Sequence, residues 1–201
     1  MVQNIIDQYP RLKNKIKNHL SNFKNKNEDE RFNEFMFCLL TPQSNAKKCW
    51  EAVELINSTN SKKAKEISLI LKGRSRFHNT KAKRIEKSKE TWKEVKKILD
   101  DDLSTIQKRN SISKIVNGYG LKEASHFLRN IGLSNNELAI LDRHILKNLF
   151  EAKAIRELKI KGNKHYLELE QQALDFSKKS KIPIDELDVL FWINEHDEMF
   201  K

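Results

Sequence analysis

Apolar residues recur at helical spacing along the whole chain, and strand-like alternation is nowhere sustained. The stretch "RFNEFMFCLLT" sets Phe32, Phe35, Met36, Leu39 and Leu40 on one side of a helix. Pro42 ends that helix, and Ser44 or Asn45 can cap the next, which carries Trp50, Val53, Leu55 and Ile56. A last helix follows Pro183 and Asp185 and bears Leu187, Leu190, Phe191 and Trp192. Only five Gly and three Pro interrupt 201 residues, so the pattern predicts an all-α protein. That length suits one globular unit or two small lobes. Clear repeats and long flexible linkers are absent, and "SNNELA" at 134–139 is the best candidate for a boundary between lobes.

Charge is concentrated. Residues 61–97 hold fourteen Lys or Arg against four Glu, a net of +10 out of +11 for the chain. Phe77, His78 and Trp92 interleave with this run. It reads either as a solvated, lysine-rich face or as a groove wall that tracks phosphates and offers aromatics to a base. Charge alone does not separate the two. The two cysteines, Cys38 and Cys49, make neither a disulfide framework nor a metal-ligand set. Cys38 within "FMFCLL" reads as a core residue. The six histidines are scattered, so His144 beside Asp142 reads as structural and no metal is expected. No apolar run reaches the roughly 18 residues that would span a membrane, and "MVQNIIDQYPRLK" lacks the apolar core of a signal peptide. A soluble, cytoplasmic protein acting inside the cell is the expectation.

The most specific segment is "SISKIVNGYGLKEASHFLRNIG". Ile112, Ile115 and Val116 line one short helix, Asn117–Gly120 make a tight turn, and Ala124, Phe127, Leu128 and Ile131 line a second helix. Such a hairpin is either an ordinary helix connection or a phosphate site, because unpaired N–H groups point outward from a helix start. The basic stretch tips the reading toward DNA. Lys122 sits where the second helix begins, although a cation there is disfavoured by a few tenths of a kcal/mol up to roughly 1. One surface lysine among many is the plain reading. The alternative is chemical: the same positive potential favours the neutral amine, a nucleophile for carbonyl or acetal-like carbon. Some twenty residues on, "LAILDRHILKNLF" places Asp142 before a helix. Its carboxylate reads either as an ordinary N-cap or as a group that accepts the lysine's proton or stabilises a cationic sugar.

These residues carry a resemblance. "GYGLKEASHFLRNIG" followed by "AILDRHI" resembles the helix–hairpin–helix DNA glycosylase superfamily, and "LLTPQSNA" at 39–46 resembles a segment near the start of that superfamily's helical barrel. The block "RFHNTKAKRI", "ASHFLRN", "LDRHI" and the C-terminal "FWINEHDEMFK" are similar to the type-2 8-oxoguanine DNA glycosylase/AP lyase family over nearly the whole chain. The resemblance implies Lys122 as Schiff-base nucleophile and Asp142 as catalytic carboxylate. It implies stacking of the extruded base between Phe77 and Trp192, and reading of the oxidised purine by the terminal carboxylate of Lys201. Gly118 and Gly120 would offer backbone N–H groups to DNA, and Gln43 would wedge into the duplex. Endonuclease III and most adenine glycosylases carry four clustered cysteines for an iron–sulfur cluster; with Cys38 and Cys49 alone, no such cluster forms.

The resulting expectation is a two-lobed helix–hairpin–helix DNA glycosylase fold with its active site in the cleft between lobes. Residues 31–131 would form a barrel ending in the hairpin, and residues 1–30 with 132–201 the second lobe. The expected activity is excision of 8-oxoguanine from double-stranded DNA and β-elimination at the resulting abasic site, without cofactor, by a monomer. The alternatives are a glycosylase for another damaged base, or a non-catalytic DNA-binding module that keeps the hairpin for phosphate contact.

Overall fold

Eleven helices account for most of the chain in the computed structural model, which describes residues 2–196, 199 and 200; these include no strand. In order they are α1 Val2–Ser21, α2 Glu28–Leu40, α3 Ala46–Ser58, α4 Ala64–Leu71, α5 His78–Glu86, α6 Ser88–Asp100, α7 Thr105–Ile115, α8 Leu121–Asn130, α9 Arg143–Glu151, α10 Asn163–Ser180 and α11 Ile184–His196. They divide into two compact units, Met1–Asn25 with Leu128–Phe200, and a second beginning Lys26–Phe127. The later boundary falls inside α8, between Phe127 and Leu128, and not in "SNNELA", which lies within the first unit. A continuous helix hides such a boundary from composition, because no turn residue marks it.

In the Lys26–Phe127 unit, α2 is the central element. A capping box starts it: Asn27 accepts from the Glu30 N–H at 2.9 Å, and Glu30 accepts from the Asn27 N–H at 2.8 Å. From Glu34 to Leu40 every residue is buried, as befits a helix surrounded on all sides. Phe35 is the hub, in ring contact with Phe32, Trp92, Tyr119 and Phe127. Trp92 is therefore core, not an aromatic held out for a base. The Tyr119 hydroxyl, one residue from the hairpin glycines, donates to the Phe35 carbonyl at 2.8 Å. This ties the turn to the centre of the unit.

In the other unit, α1 packs along α11, and the Tyr9 hydroxyl donates to Glu186 Oε2 at 2.7 Å. The apolar run Leu138–Leu141 is buried without forming a helix. Its backbone is satisfied from α10: the Ala139 N–H donates to Glu170 Oε1 at 3.0 Å, and the Ala139 carbonyl accepts from the Tyr166 hydroxyl at 2.6 Å. That extended run delivers Asp142 to the start of α9. Arg129 donates to Asp188 at 3.1 Å and lies 5.2 Å from the Phe23 ring centroid, so α8 is held at its C-terminal end as well. Among the described residues no helix is long and apolar enough to cross a membrane.

Candidate active site

The hairpin turn is built by one glycine and guarded by an arginine. Gly118 has φ +103°, a value that side-chain-bearing residues rarely adopt. A Cβ there would lie 2.5 Å from Arg84 Nη1, so the arginine's guanidinium occupies the space a side chain would take. Gly118→Ala is expected to cost about 1–3 kcal/mol through backbone strain and to push Arg84 off the turn. Thermal unfolding would show the loss, and weaker duplex binding at fixed salt would accompany it.

Gly120 precedes α8, and its carbonyl accepts the Ala124 N–H at 3.1 Å. Its own N–H donates to Glu123 Oε2 at 3.0 Å, half of a capping box between the residue before the helix and the third residue in it. A phosphate contact from the Gly120 N–H therefore requires this carboxylate to turn away. Glu123 was not singled out from the sequence, although the Gly–x–x–Glu spacing carries the signal.

Lys122 stands second in α8, with its side chain 21% exposed. Its Nζ lies 3.5 Å from Glu123 Oε1. The amine therefore stands at the positive end of α8 and beside a carboxylate, the second a neighbour that its place at the helix start does not reveal.

Asp142 caps α9. Its Oδ1 accepts from the backbone N–H groups of His144 and Ile145, both at 2.9 Å. Behind it, His144 Nδ1 donates to Glu195 Oε2, and Asn148 Nδ2 donates to Glu195 Oε1 at 3.1 Å. Partial burial alone would raise the Glu195 carboxyl, but His144 and Asn148 outweigh it and hold the group below the ordinary carboxylate range. The His144 ring meets Trp192 edge-on at 6.0 Å between centroids, so the histidine beside Asp142 has a structural task. Trp192 is half-buried on α11. Lys122 belongs to the Lys26–Phe127 unit, and Asp142 and Trp192 to the other.

Phe77 is 53% exposed, at φ +57°, immediately before α5. It is not a core residue. Gln43 is also exposed and sits at φ +55° in the turn after α2. Lys81, one of the fourteen cations of the basic run, is only 2% exposed and so makes no contribution to a phosphate-facing surface. Lys201 lies outside the described residues. The last described residue, Phe200, accepts a hydrogen bond through its carbonyl from His19 Nε2 of α1 at 3.1 Å. Among the described residues, no three His, Cys, Asp or Glu side chains gather as a metal site.

The described residues are all-helical; a glycine hairpin opens a helix with lysine in its first turn and an aspartate caps a helix downstream, the arrangement that the resemblance to helix–hairpin–helix DNA glycosylases implies. Comparison with known proteins is more specific. A family model described as 8-oxoguanine DNA glycosylase matches residues 12–182. The 8-oxoguanine DNA glycosylase/AP lyase of Fusobacterium nucleatum is 39% identical, over 96% of this chain and 94% of the relative. That of Methanocaldococcus jannaschii is 33% identical, over 85% and 82%. The crystal structure of the M. jannaschii 8-oxoguanine glycosylase/lyase with a 15mer DNA containing 8-oxoguanine superposes with a TM-score of 0.87 at 27% identity, covering 100% of this chain and 99% of that one. The 8-oxoguanine DNA glycosylase of Thermotoga maritima gives a TM-score of 0.87 at 25% identity, covering 100% and 98%. The chain belongs to the 8-oxoguanine DNA glycosylase family.

Proposed function

We propose that this protein excises 8-oxoguanine from duplex DNA and then breaks the strand at the abasic site, with Lys122 as nucleophile and Asp142 as the carboxylate that serves it. The observation that carries the assignment is local: the hairpin places a partly exposed lysine amine in the first turn of α8, with Glu123 beside it. The sugar C1′ is inaccessible within a stacked duplex, so the damaged nucleotide must swing out first. Phe77, exposed and fixed at the start of α5, and Trp192 provide faces for the extruded base. Lys122 Nζ attacks C1′, the C1′–N9 bond breaks, and the base leaves with a proton. The amine's lost proton passes to a carboxylate and from it to N9 of the departing base, and the opened sugar forms an imine with Nζ as O4′ takes a proton from water. Loss of a C2′ proton then expels the 3′ phosphate by β-elimination. The Asp142 charge stabilises the cationic sugar while its Oδ1 stays engaged by the α9 N–H groups. DNA lies on the hairpin and on the exposed lysines of residues 61–97, and none of these steps calls for a metal or organic cofactor.

Borohydride reduction during turnover on an 8-oxoguanine duplex tests this directly. Reduction locks the imine and yields a covalent protein–DNA adduct; a wild-type protein that gives neither adduct nor strand break ends the catalytic reading and leaves the DNA-binding module. The choice of 8-oxoguanine has its own test at Lys201. Lys201→Ala is expected to weaken the preference for 8-oxoguanine over guanine while strand cleavage at a preformed abasic site persists. Competition between the two duplexes measures it, and an unchanged preference removes Lys201 from base recognition.

A further inference from the structure

Gln43 and Phe77 share a property that their own sequence positions do not explain. Each carries a side chain, is exposed, and sits at positive φ, +55° and +57°. Such conformations are uncommon and persist only where the surroundings over-determine them. The two residues lie in different loops, one after α2 and one before α5. A buried ammonium bonds to both loops, beside the hydrogen bonds they make to each other.

Lys81 Nζ donates to the carbonyls of Leu40 and Pro42, both at 2.7 Å, to Ser75 Oγ at 3.0 Å and to Ser44 Oγ at 3.1 Å. None of the four is a carboxylate. Ser75 Oγ in turn donates to the Leu40 carbonyl at 2.9 Å. Ser44 Oγ accepts the Arg76 N–H at 2.9 Å, and Arg76 Nη1 donates to Gln43 Oε1 at 2.9 Å. The Arg76 guanidinium lies 4.9 Å from the Phe77 ring centroid. The Lys81 N–H donates to the Phe77 carbonyl at 3.0 Å. The ammonium's bonds to Pro42, Ser44 and Ser75 thus reach the turns that hold Gln43 and Phe77, while the Leu40 carbonyl also accepts from Cys49 Sγ at 3.1 Å.

A methionine or leucine at position 81 would fill the same volume. It would also leave the Leu40 and Pro42 carbonyls without this donor, and the two loops would be joined only by the bonds among Gln43, Ser44, Ser75 and Arg76. We propose that Lys81 is a positioning residue for lesion extrusion: its ammonium sets the Pro42–Ser44 turn and the Ser75–Phe77 loop in one arrangement, so that Gln43 and Phe77 meet the duplex as a fixed pair. This rests on the reading of those two residues as DNA contacts. Fixing both before binding removes an ordering cost at the moment the base leaves the stack.

Protonation of Lys81 gives the proposal a signature. Burial pushes its amine down to about 8; Cys49 and Glu123 oppose this shift, and Arg84 and Lys122 reinforce it. Cys49, on α3, is itself pushed up by burial. Below about 8 the ammonium offers three protons to four oxygens; above it the neutral amine offers two, and the arrangement loosens.

The test compares two single-turnover rates in one protein: excision from an 8-oxoguanine duplex, and borohydride trapping on a duplex with a preformed abasic site, where no base needs stacking. Both use Lys122 as nucleophile, so the ratio isolates the step before its attack. Lys81→Met is expected to lower excision about 10²-fold and trapping by no more than about threefold. The wild-type ratio of excision to trapping should fall about tenfold from pH 7 to pH 9, and the ratio for Lys81→Met should be flat. The wild-type pH series stands even if the variant does not fold. Equal loss in both assays, full retention of both, or a wild-type ratio independent of pH overturns the proposal. Gln43→Ala and Phe77→Ala, assayed alongside, should each impair excision; if both are silent, the contact reading falls and the proposal with it. A wild-type protein inert on both substrates would instead indict the enzymatic assignment itself.

Discussion

Lys122→Gln is expected to abolish the borohydride adduct and to lower excision by about 10⁴-fold or more, the scale on which enzymes lose rate when a nucleophile is removed. Glutamine suits the experiment because it keeps most of the side chain's length and an N–H donor that can still reach Glu123, 3.5 Å from the native amine. Helix propensities of Lys and Gln are close, so α8 should be undisturbed. The glycine turn before it does not depend on position 122: Tyr119 is fixed through its hydroxyl to Phe35, and Gly118 lies under Arg84. Thermal unfolding should therefore match wild type, and duplex binding should weaken only modestly. A variant that binds but neither excises nor traps identifies Lys122 as the attacking group. One that still gives an adduct moves the nucleophile to another amine.

How much of this was legible in the sequence depends on the range of the interaction that fixes each residue. The helices were, since period and caps are local: Asn45 caps α3, and the apolar stripe of α8 is buried at Ala124, Phe127 and Leu128. So was the N-cap geometry of Asp142, which needs only its own backbone. The left-handed backbone at Gln43 and Phe77 was not legible. Neither residue favours it, and the lysine whose ammonium bonds to both loops lies 38 residues beyond Gln43, where the sequence reads as one more surface cation. Trp92 failed as a base-stacking candidate for the same reason, because its partners Phe35 and Phe127 come from distant helices. The choice of 8-oxoguanine was never derivable from charge or periodicity. It entered through a resemblance carried by the hairpin, the "LDRHI" segment and the C-terminus.

The same distinction explains why charge counting overstated the DNA-facing surface. Lysine on a helix in a basic run normally keeps its head in water. At position 81 the local sequence looks no different from its neighbours, yet the side chain points inward to the oxygens at the end of α2. A buried ammonium without a carboxylate is costly, and here four oxygens within 3.1 Å offset that cost.

Asp142 allows a cleaner separation of structure from chemistry than most catalytic carboxylates, because its cap and its charge can be removed one at a time. Asn and Asp are nearly equal as N-caps. Asp142→Asn can therefore keep the hydrogen bonds from the His144 and Ile145 N–H groups while losing the negative charge. The charge at the start of α9 contributes about 0.3–1 kcal/mol through the helix dipole, which for a chain of this size lowers the melting temperature by about 1–4 °C. Asp142→Ala loses the cap as well, about 1 kcal/mol more. If the carboxylate only capped the helix, activity would track these small losses, and Asn would be close to wild type. If it stabilises the cationic sugar, Asn and Ala should both lose about 10²–10³-fold in excision, out of proportion to their stability and alike despite the difference in capping. Single-turnover excision and calorimetry on the two variants decide between these outcomes. A fully active Asp142→Asn would reduce Asp142 to a cap and leave Glu123, beside the lysine amine, as the carboxylate to test next.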